Sequence, residues 1–76
     1  MCHSASLQKC MEIFVNGAPR AIPIGYSVYQ LLEELGLLDK RLALEVNREI
    51  VPRSAYAAQH LNPGDRVEIV HAIGGG

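Results

Sequence analysis

Ser27-Val28-Tyr29-Gln30-Leu31-Leu32-Glu33-Glu34-Leu35-Gly36 decides how the rest of this chain must be arranged. Ser27 is placed as an N-cap, and Gln30, three residues on, completes a capping box; Tyr26 and Leu31 fit a hydrophobic staple across the same helix start. Val28, Leu31, Leu32 and Leu35 fall at i, i+3, i+4 and i+7 and form one apolar stripe. Gln30, Glu33 and Glu34 are expected on the wet side. Gly36 sits where a left-handed C′ residue belongs, with Leu37 following as its hydrophobic contact. A leucine stripe at this spacing is core, so the helix is scaffold, and its one apolar face needs a sheet to cover.

The flanking segments supply that sheet. Upstream, Glu12-Ile13-Phe14-Val15 alternates polar and apolar residues as a half-buried strand does. Asn16-Gly17 follows, a pair suited to the positive φ angles of a type I′ hairpin turn. Arg20-Ala21-Ile22-Pro23-Ile24 returns, with Ile22 and Ile24 expected on one face. Pro23 lacks an N–H for a ladder, which places this strand at an edge.

Downstream, Asp39-Lys40-Arg41 is a solvated connection, and Leu42-Ala43-Leu44-Glu45-Val46 alternates again. Asn47-Arg48-Glu49 turns into a short strand at Ile50-Val51 that Pro52 stops. Ser54 is a candidate cap for one helical turn through Ala55-Tyr56-Ala57-Ala58, a lid over one end of the core. Asn62-Pro63-Gly64-Asp65 matches a type II turn, with Pro at i+1 and Gly at i+2. Arg66-Val67-Glu68-Ile69-Val70-His71-Ala72-Ile73 is the last strand and runs into Gly74-Gly75-Gly76.

Two hairpins and one long helix in a chain of 76 residues put the helix across one face of a single mixed sheet. The expected fold is α+β, of β-grasp (ubiquitin-like) arrangement. The first and last strands are then expected side by side in the middle, and the helical crossover makes a parallel central pair feasible. The expected organisation is a disordered N-terminal arm over 1–10, a β-grasp domain over 11–73 and a flexible C-terminal glycine tail over 74–76.

Composition narrows the function. A hydrophobic share of 49% argues for a globular fold over disorder, and a net charge of −1 gives no reason to expect nucleic acid or an anionic membrane as partner. The apolar runs are too short to span a bilayer. Cys2 and Cys10 both lie in the first ten residues and no cysteine follows, so the fold does not rest on a disulfide framework, which suits a cytoplasmic protein. The arm has no apolar core of a secretory signal. Met11, directly before the first strand, is a candidate natural start. Cys2, His3, Cys10, His60 and His71 lack the spacing of a metal site, so no metal and no intrinsically bound cofactor are expected.

An enzyme reading finds no support, because no nucleophile–base order, phosphate loop or paired acids in a cleft is present. Tyr29, Tyr56, His60 and His71 read as core, lid or surface. A domain this small also leaves little room for a pocket of ~300 Å³. What is chemically distinctive is the terminus. Three glycines carry no side chains and reach roughly 10 Å beyond the fold, so they can offer a carboxylate through a passage closed to other residues. The competing view is a frayed end. With the helix on one face, the other face carries Glu12, Phe14, Ala43, Glu45, Glu68, Val70 and Ala72. Phe14, Val70 and Ala72, with Ala43, are expected to form a small apolar docking patch ringed by carboxylates at the root of the tail.

These residues resemble the ThiS family, the sulfur carriers of thiamine (thiazole) biosynthesis, from Met11 to Gly76. The likeness rests on Ile13-Phe14-Val15-Asn16-Gly17, Ser27-Val28-Tyr29-Gln30-Leu31-Leu32, Ala43 to Arg53, and Gly64-Asp65-Arg66-Val67-Glu68-Ile69-Val70 with the terminal glycines. Asn47-x-x-Ile50-Val51-Pro52-Arg53 is its most discriminating part. The resemblance implies a protein co-substrate, not an enzyme. A ThiF-like adenylating enzyme activates the terminal carboxylate of Gly76 with ATP and Mg. Sulfur from cysteine, delivered by a cysteine desulfurase, displaces AMP to leave a thiocarboxylate, and the thiazole synthase ThiG takes the sulfur with the tail in its active site. Gly75 and Gly76 match the family pair; Gly74 is an addition to it, and the arm over 1–10 departs from the pattern. A sulfur carrier for molybdopterin synthesis or tRNA thiolation stays open, as does a ubiquitin-like modifier or a plain interaction module.

Overall fold

The computed structural model describes residues 9–71. The expectations for the arm over 1–8 and for Ala72, Gly74, Gly75 and Gly76 therefore fall outside the described residues. Five strands and one helix follow in the order β1 (Cys10–Val15), β2 (Ala18–Pro23), α1 (Val28–Leu35), β3 (Leu42–Val46), β4 (Glu49–Ile50) and β5 (Arg66–His71), with a 3₁₀ turn at Arg53–Ala55. The strands form one mixed sheet in the order β2-β1-β5-β3-β4. β1 and β5 pair in parallel, Phe14 against Arg66 and Val15 against Val67, and the other pairings are antiparallel. This is the β-grasp arrangement, with β5 in the middle.

α1 is fixed at both ends by the residues that its sequence singles out. The Ser27 hydroxyl accepts from the Gln30 N–H, and the Gln30 side chain accepts from the Ser27 N–H. The first two helical N–H groups, which no helix can satisfy internally, are met by the downstream lid: Val28 donates to Gln59 O at 2.8 Å and Tyr29 to Tyr56 O at 3.1 Å. At the other end Gly36 adopts φ 74°, a left-handed conformation that glycine reaches without steric cost. Val28, Leu31 and Leu32 are fully buried against Ile13, Ile22, Leu44, Val46, Val67 and Ile69 of the sheet. Each such side chain contributes roughly 1.5–3 kcal/mol of burial. Tyr56, Val51 and Leu61 close one end of this core.

Four local expectations need correcting. Lys9 and Cys10 join the sheet instead of the arm: Cys10 pairs with Pro23, and Lys9 O accepts from Ile24 N at 2.9 Å. Ile24 is 57% exposed, because β2 ends at Pro23 and the chain turns at Gly25 before the alternation can continue. Ser54 caps nothing; it lies inside the 3₁₀ turn, which starts from Pro52 without a side-chain cap. Glu34 is not on the wet side. It is half-buried and takes hydrogen bonds from Arg20 Nη2 at 2.6 Å and Tyr26 Oη at 2.9 Å.

Candidate functional site at the root of the glycine tail

β5 is the strand that leads to the glycines, and its start and its middle are held by asparagines in left-handed turn conformations. At its start, Asn47 (φ 52°) accepts from Arg66 N at 3.0 Å through Oδ1, donates from its own N–H to Arg66 O at 2.8 Å, and gives Nδ2 to Asp65 Oδ1 at 3.0 Å. Asp65 is buried, and its Oδ2 also accepts from Asn62 N at 2.8 Å. This closes the Asn62–Asp65 turn, where Gly64 has φ 83° as a type II turn requires. Further along, Asn16 (φ 51°) donates its N–H to Val67 O at 2.8 Å. Its side chain then takes Ile69, accepting from the N–H at 2.8 Å and donating to the C=O at 3.3 Å. The side-chain amide thus extends the β1 flank by one peptide-like unit after the backbone has turned away.

Beyond Ile69 the support is one-sided. Val70 and His71 pair with Ala43 and Leu42 of β3, and β1 has already ended. Val70 is 61% exposed and His71 is exposed, so the last described residues of the central strand lie open. A shallow hollow of about 410 Å³ lies beside them, lined by Arg41, Leu42, Ala43, Arg53, Val70 and His71.

Of the residues expected in the docking patch, Ala43 and Val70 pair with each other, and Phe14 does not adjoin them. Phe14 faces Pro19 on one side and Arg66 on the other, and the Arg66 guanidinium carbon lies 5.7 Å from the centre of the Phe14 ring. Val70 is four residues further along β5, or roughly 13 Å at strand rise, with Glu68 between them on the same face. The reason is register: the parallel pairing sets Phe14 at the beginning of β5, whereas Val70 lies near its last described residue. Alternation gives the face correctly but not the row. Sequence reasoning did not bring the two arginines together: Arg41 reads as part of a solvated connection, and Arg53 figures only as the last residue of the Asn47-x-x-Ile50-Val51-Pro52-Arg53 stretch. No sequence signal joins them: it is the long-range pairing of Leu42 with His71 that carries Arg41 to the end of β5. Of the residues considered for a metal, Cys10, His60 and His71 are described, and no group of three metal-ligating side chains occurs among the described residues.

A small β-grasp domain whose central strand runs out to a glycine tail is the architecture of ubiquitin-like carriers. The family model that matches, the ThiS family, covers residues 13–76, and this chain belongs to that family. A thiazole synthase of Paramagnetospirillum magneticum is 46% identical over 66 residues, which are 87% of this chain and 20% of that protein. The chain thus spans about a fifth of that relative's length. The sulfur carrier protein ThiS of Escherichia coli is 33% identical over 66 residues, 87% of this chain and 100% of that one. The crystal structure of the thiamine biosynthesis protein ThiS from Geobacter metallireducens superposes with a TM-score of 0.76 at 32% identity, covering 87% of this chain and 100% of that chain. No helix among the described residues is long and apolar enough to cross a membrane.

Proposed function

We propose that this chain is a sulfur carrier for thiazole formation in thiamine biosynthesis, with Gly76 as the residue that bears the sulfur. Membership of the ThiS family through residue 76 is the observation that carries this reading. The fold supports it, since the strand that precedes the glycines is the central one of the sheet and its last described residues, Val70 and His71, are exposed.

The chemistry follows from what a carboxylate lacks. Its oxygen is a poor leaving group, so an ATP- and Mg-dependent ThiF-like partner supplies activation. A Gly76 carboxylate oxygen attacks the α-phosphorus of ATP, pyrophosphate leaves, and a mixed anhydride with AMP results. A persulfide sulfur derived from cysteine by a desulfurase then attacks the carbonyl carbon and AMP departs; a thiol reductant cleaves the S–S bond of the resulting acyl disulfide, is itself oxidised to a disulfide, and leaves the thiocarboxylate. ThiG accepts that sulfur. Its role as partner is favoured by the similarity of this chain to a fifth of proteins named thiazole synthase. The chain itself is a co-substrate: Gly75 and Gly74 provide a thin approach, Gly76 the reacting carbon, and the β-grasp body the surface that partners recognise.

Intact mass before and after incubation with the adenylating enzyme, Mg-ATP and a sulfur source tests this. The expected result is replacement of one oxygen by sulfur, mapped to Gly76. An unchanged mass with a competent enzyme would sink the proposal, and an isopeptide-linked product would favour a modifier.

A further inference from the structure

The hollow at the root of the tail has a mixed lining: Leu42, Ala43 and Val70 are its apolar residues, and Arg41, Arg53 and His71 line it as well. Arg53 is held in place, since its Nη2 donates to the Leu38 carbonyl. Arg41 is exposed. Neither arginine makes an ion pair among the described residues, where Arg20 and Glu34 form the pair. Two guanidinium groups lining one hollow, neither paired with a described carboxylate, form a cationic, anion-recognising surface of the kind that steers encounters.

The reach of the chain says what kind of anion fits. Five residues follow His71, and even fully extended they span at most roughly 17 Å. When the tail is extended into a partner, its reacting carboxyl group lies that far from the hollow. A nucleotide at Gly76 is therefore out of reach of Arg41 and Arg53. Whatever meets the hollow then lies outside the passage that holds the tail, at its entrance.

We propose that the hollow lined by Arg41, Arg53, Leu42 and Val70 docks carboxylate side chains at the mouth of the channel through which the ATP-using partner takes the tail. This rests on the carrier reading above. The arginines give the encounter its orientation, and the apolar lining residues are covered once the two surfaces meet. The partner's rim is accordingly expected to carry Asp or Glu around a small apolar contact.

The test is pyrophosphate exchange catalysed by the adenylating enzyme, measured against carrier concentration for the full chain, R41E, R53Q and the double variant. Circular dichroism and thermal melts accompany it, because R53Q removes the bond to Leu38 whereas R41E changes only an exposed side chain. R41E is expected to raise the KM for the carrier about tenfold or more, as reversal of a steering charge does, with kcat changed by less than about twofold. The KM of the unaltered chain should rise with salt, and that of the double variant should respond much less. Exchange that proceeds normally and ignores both substitutions and salt overturns this inference alone. No exchange with the unaltered chain removes the carrier reading and this inference with it. Self-association that R41E abolishes would assign the hollow to a second copy of the chain and overturn the proposal as well.

Discussion

The side-chain amide of Asn16 holds the backbone of Ile69 by both its N–H and its C=O, at 2.8 and 3.3 Å, across 53 residues of sequence. It therefore does the work of a strand residue while its own backbone, at φ 51°, makes the β1–β2 turn. Asn16→Ala removes both bonds and places a Cβ-only side chain in a left-handed conformation. The expected loss is about 2–3 kcal/mol, from two net hydrogen bonds and the αL penalty. Asn16→Gly relieves the conformational part but not the bonds, and should recover about 1 kcal/mol of that loss. Denaturant titration of the two variants checks this, and faster amide exchange at Ile69 in both would locate the effect. Equal stability of the two would show that the turn is not strained.

At the matching turn between β3 and β4 the chain has no glycine. Asn47 and Arg48 both take positive φ, at 52° and 70°, as a two-residue type I′ turn demands. Asparagine tolerates this; arginine does so at a cost of roughly 1–2 kcal/mol. Arg48→Gly should therefore stabilise the domain by about 1 kcal/mol, less than the full penalty because glycine also enlarges the unfolded ensemble. A midpoint shifted upward with an unchanged denaturant slope is the expected signature. A loss of stability would mean that the Arg48 side chain contributes more than its backbone costs.

The same contrast explains how far the sequence could be read. Ser27, Gln30 and Gly36 announced the helix because capping is local chemistry, settled within four residues. Asn16-Gly17 and Pro63-Gly64 announced their turns for the same reason, and Pro23 its edge strand. Two hairpins around one helix then left little freedom in topology. The sequence could not reveal the partner of a long-range bond. Glu34 looked solvent-facing by helical period, yet Arg20 on β2 and Tyr26 before the helix turn it inward. Phe14 and Val70 share a face but not a row, because register along β5 depends on where two distant strands meet. The hollow at the tail's root assembles Arg41 and Arg53 from separate segments, which periodicity does not connect.

The Arg20–Glu34–Tyr26 cluster should make stability depend on pH at both extremes. Partial burial pushes the Glu34 carboxyl up, but the hydrogen bonds from Arg20 and Tyr26 outweigh it and hold the group below its ordinary value. A carboxyl depressed in the folded state stabilises above the unfolded value of about 4.3, and that contribution is lost as pH falls through the folded value. Tyr26 is shifted upward, chiefly by its hydrogen bond to Glu34 and then by burial. Its contribution is present below the unfolded value of about 10 and is lost as pH rises through the raised one. Glu34→Gln should flatten the acid limb of a stability–pH profile. Arg20→Met should cost about 1 kcal/mol or less at neutral pH, discounted because Arg20 is 36% exposed. An acid limb identical in all three proteins would rule out this assignment.

Asn47 and Asp65 form a second polar unit, and their coupling can be measured directly. The Asp65 carboxylate accepts from Asn47 Nδ2 with one oxygen and from the Asn62 N–H with the other, so it closes its own turn and ties that turn to the β3–β4 hairpin. Because Asp65 is buried, removing Asn47 leaves part of a carboxylate without its donor, and a single substitution overstates what the contact itself is worth. Asn47→Ala alone should cost about 2–3 kcal/mol, since it also abandons the bond from Arg66 N and the left-handed turn. Asp65→Ala should cost a similar amount. The double variant should fall short of their sum by about 1–2 kcal/mol, the size usual for partners in one hydrogen-bond network. Additive losses would place the two residues in separate roles. A non-additive result would mean that the turn before β5 and the hairpin beside it act together to set where the last strand begins.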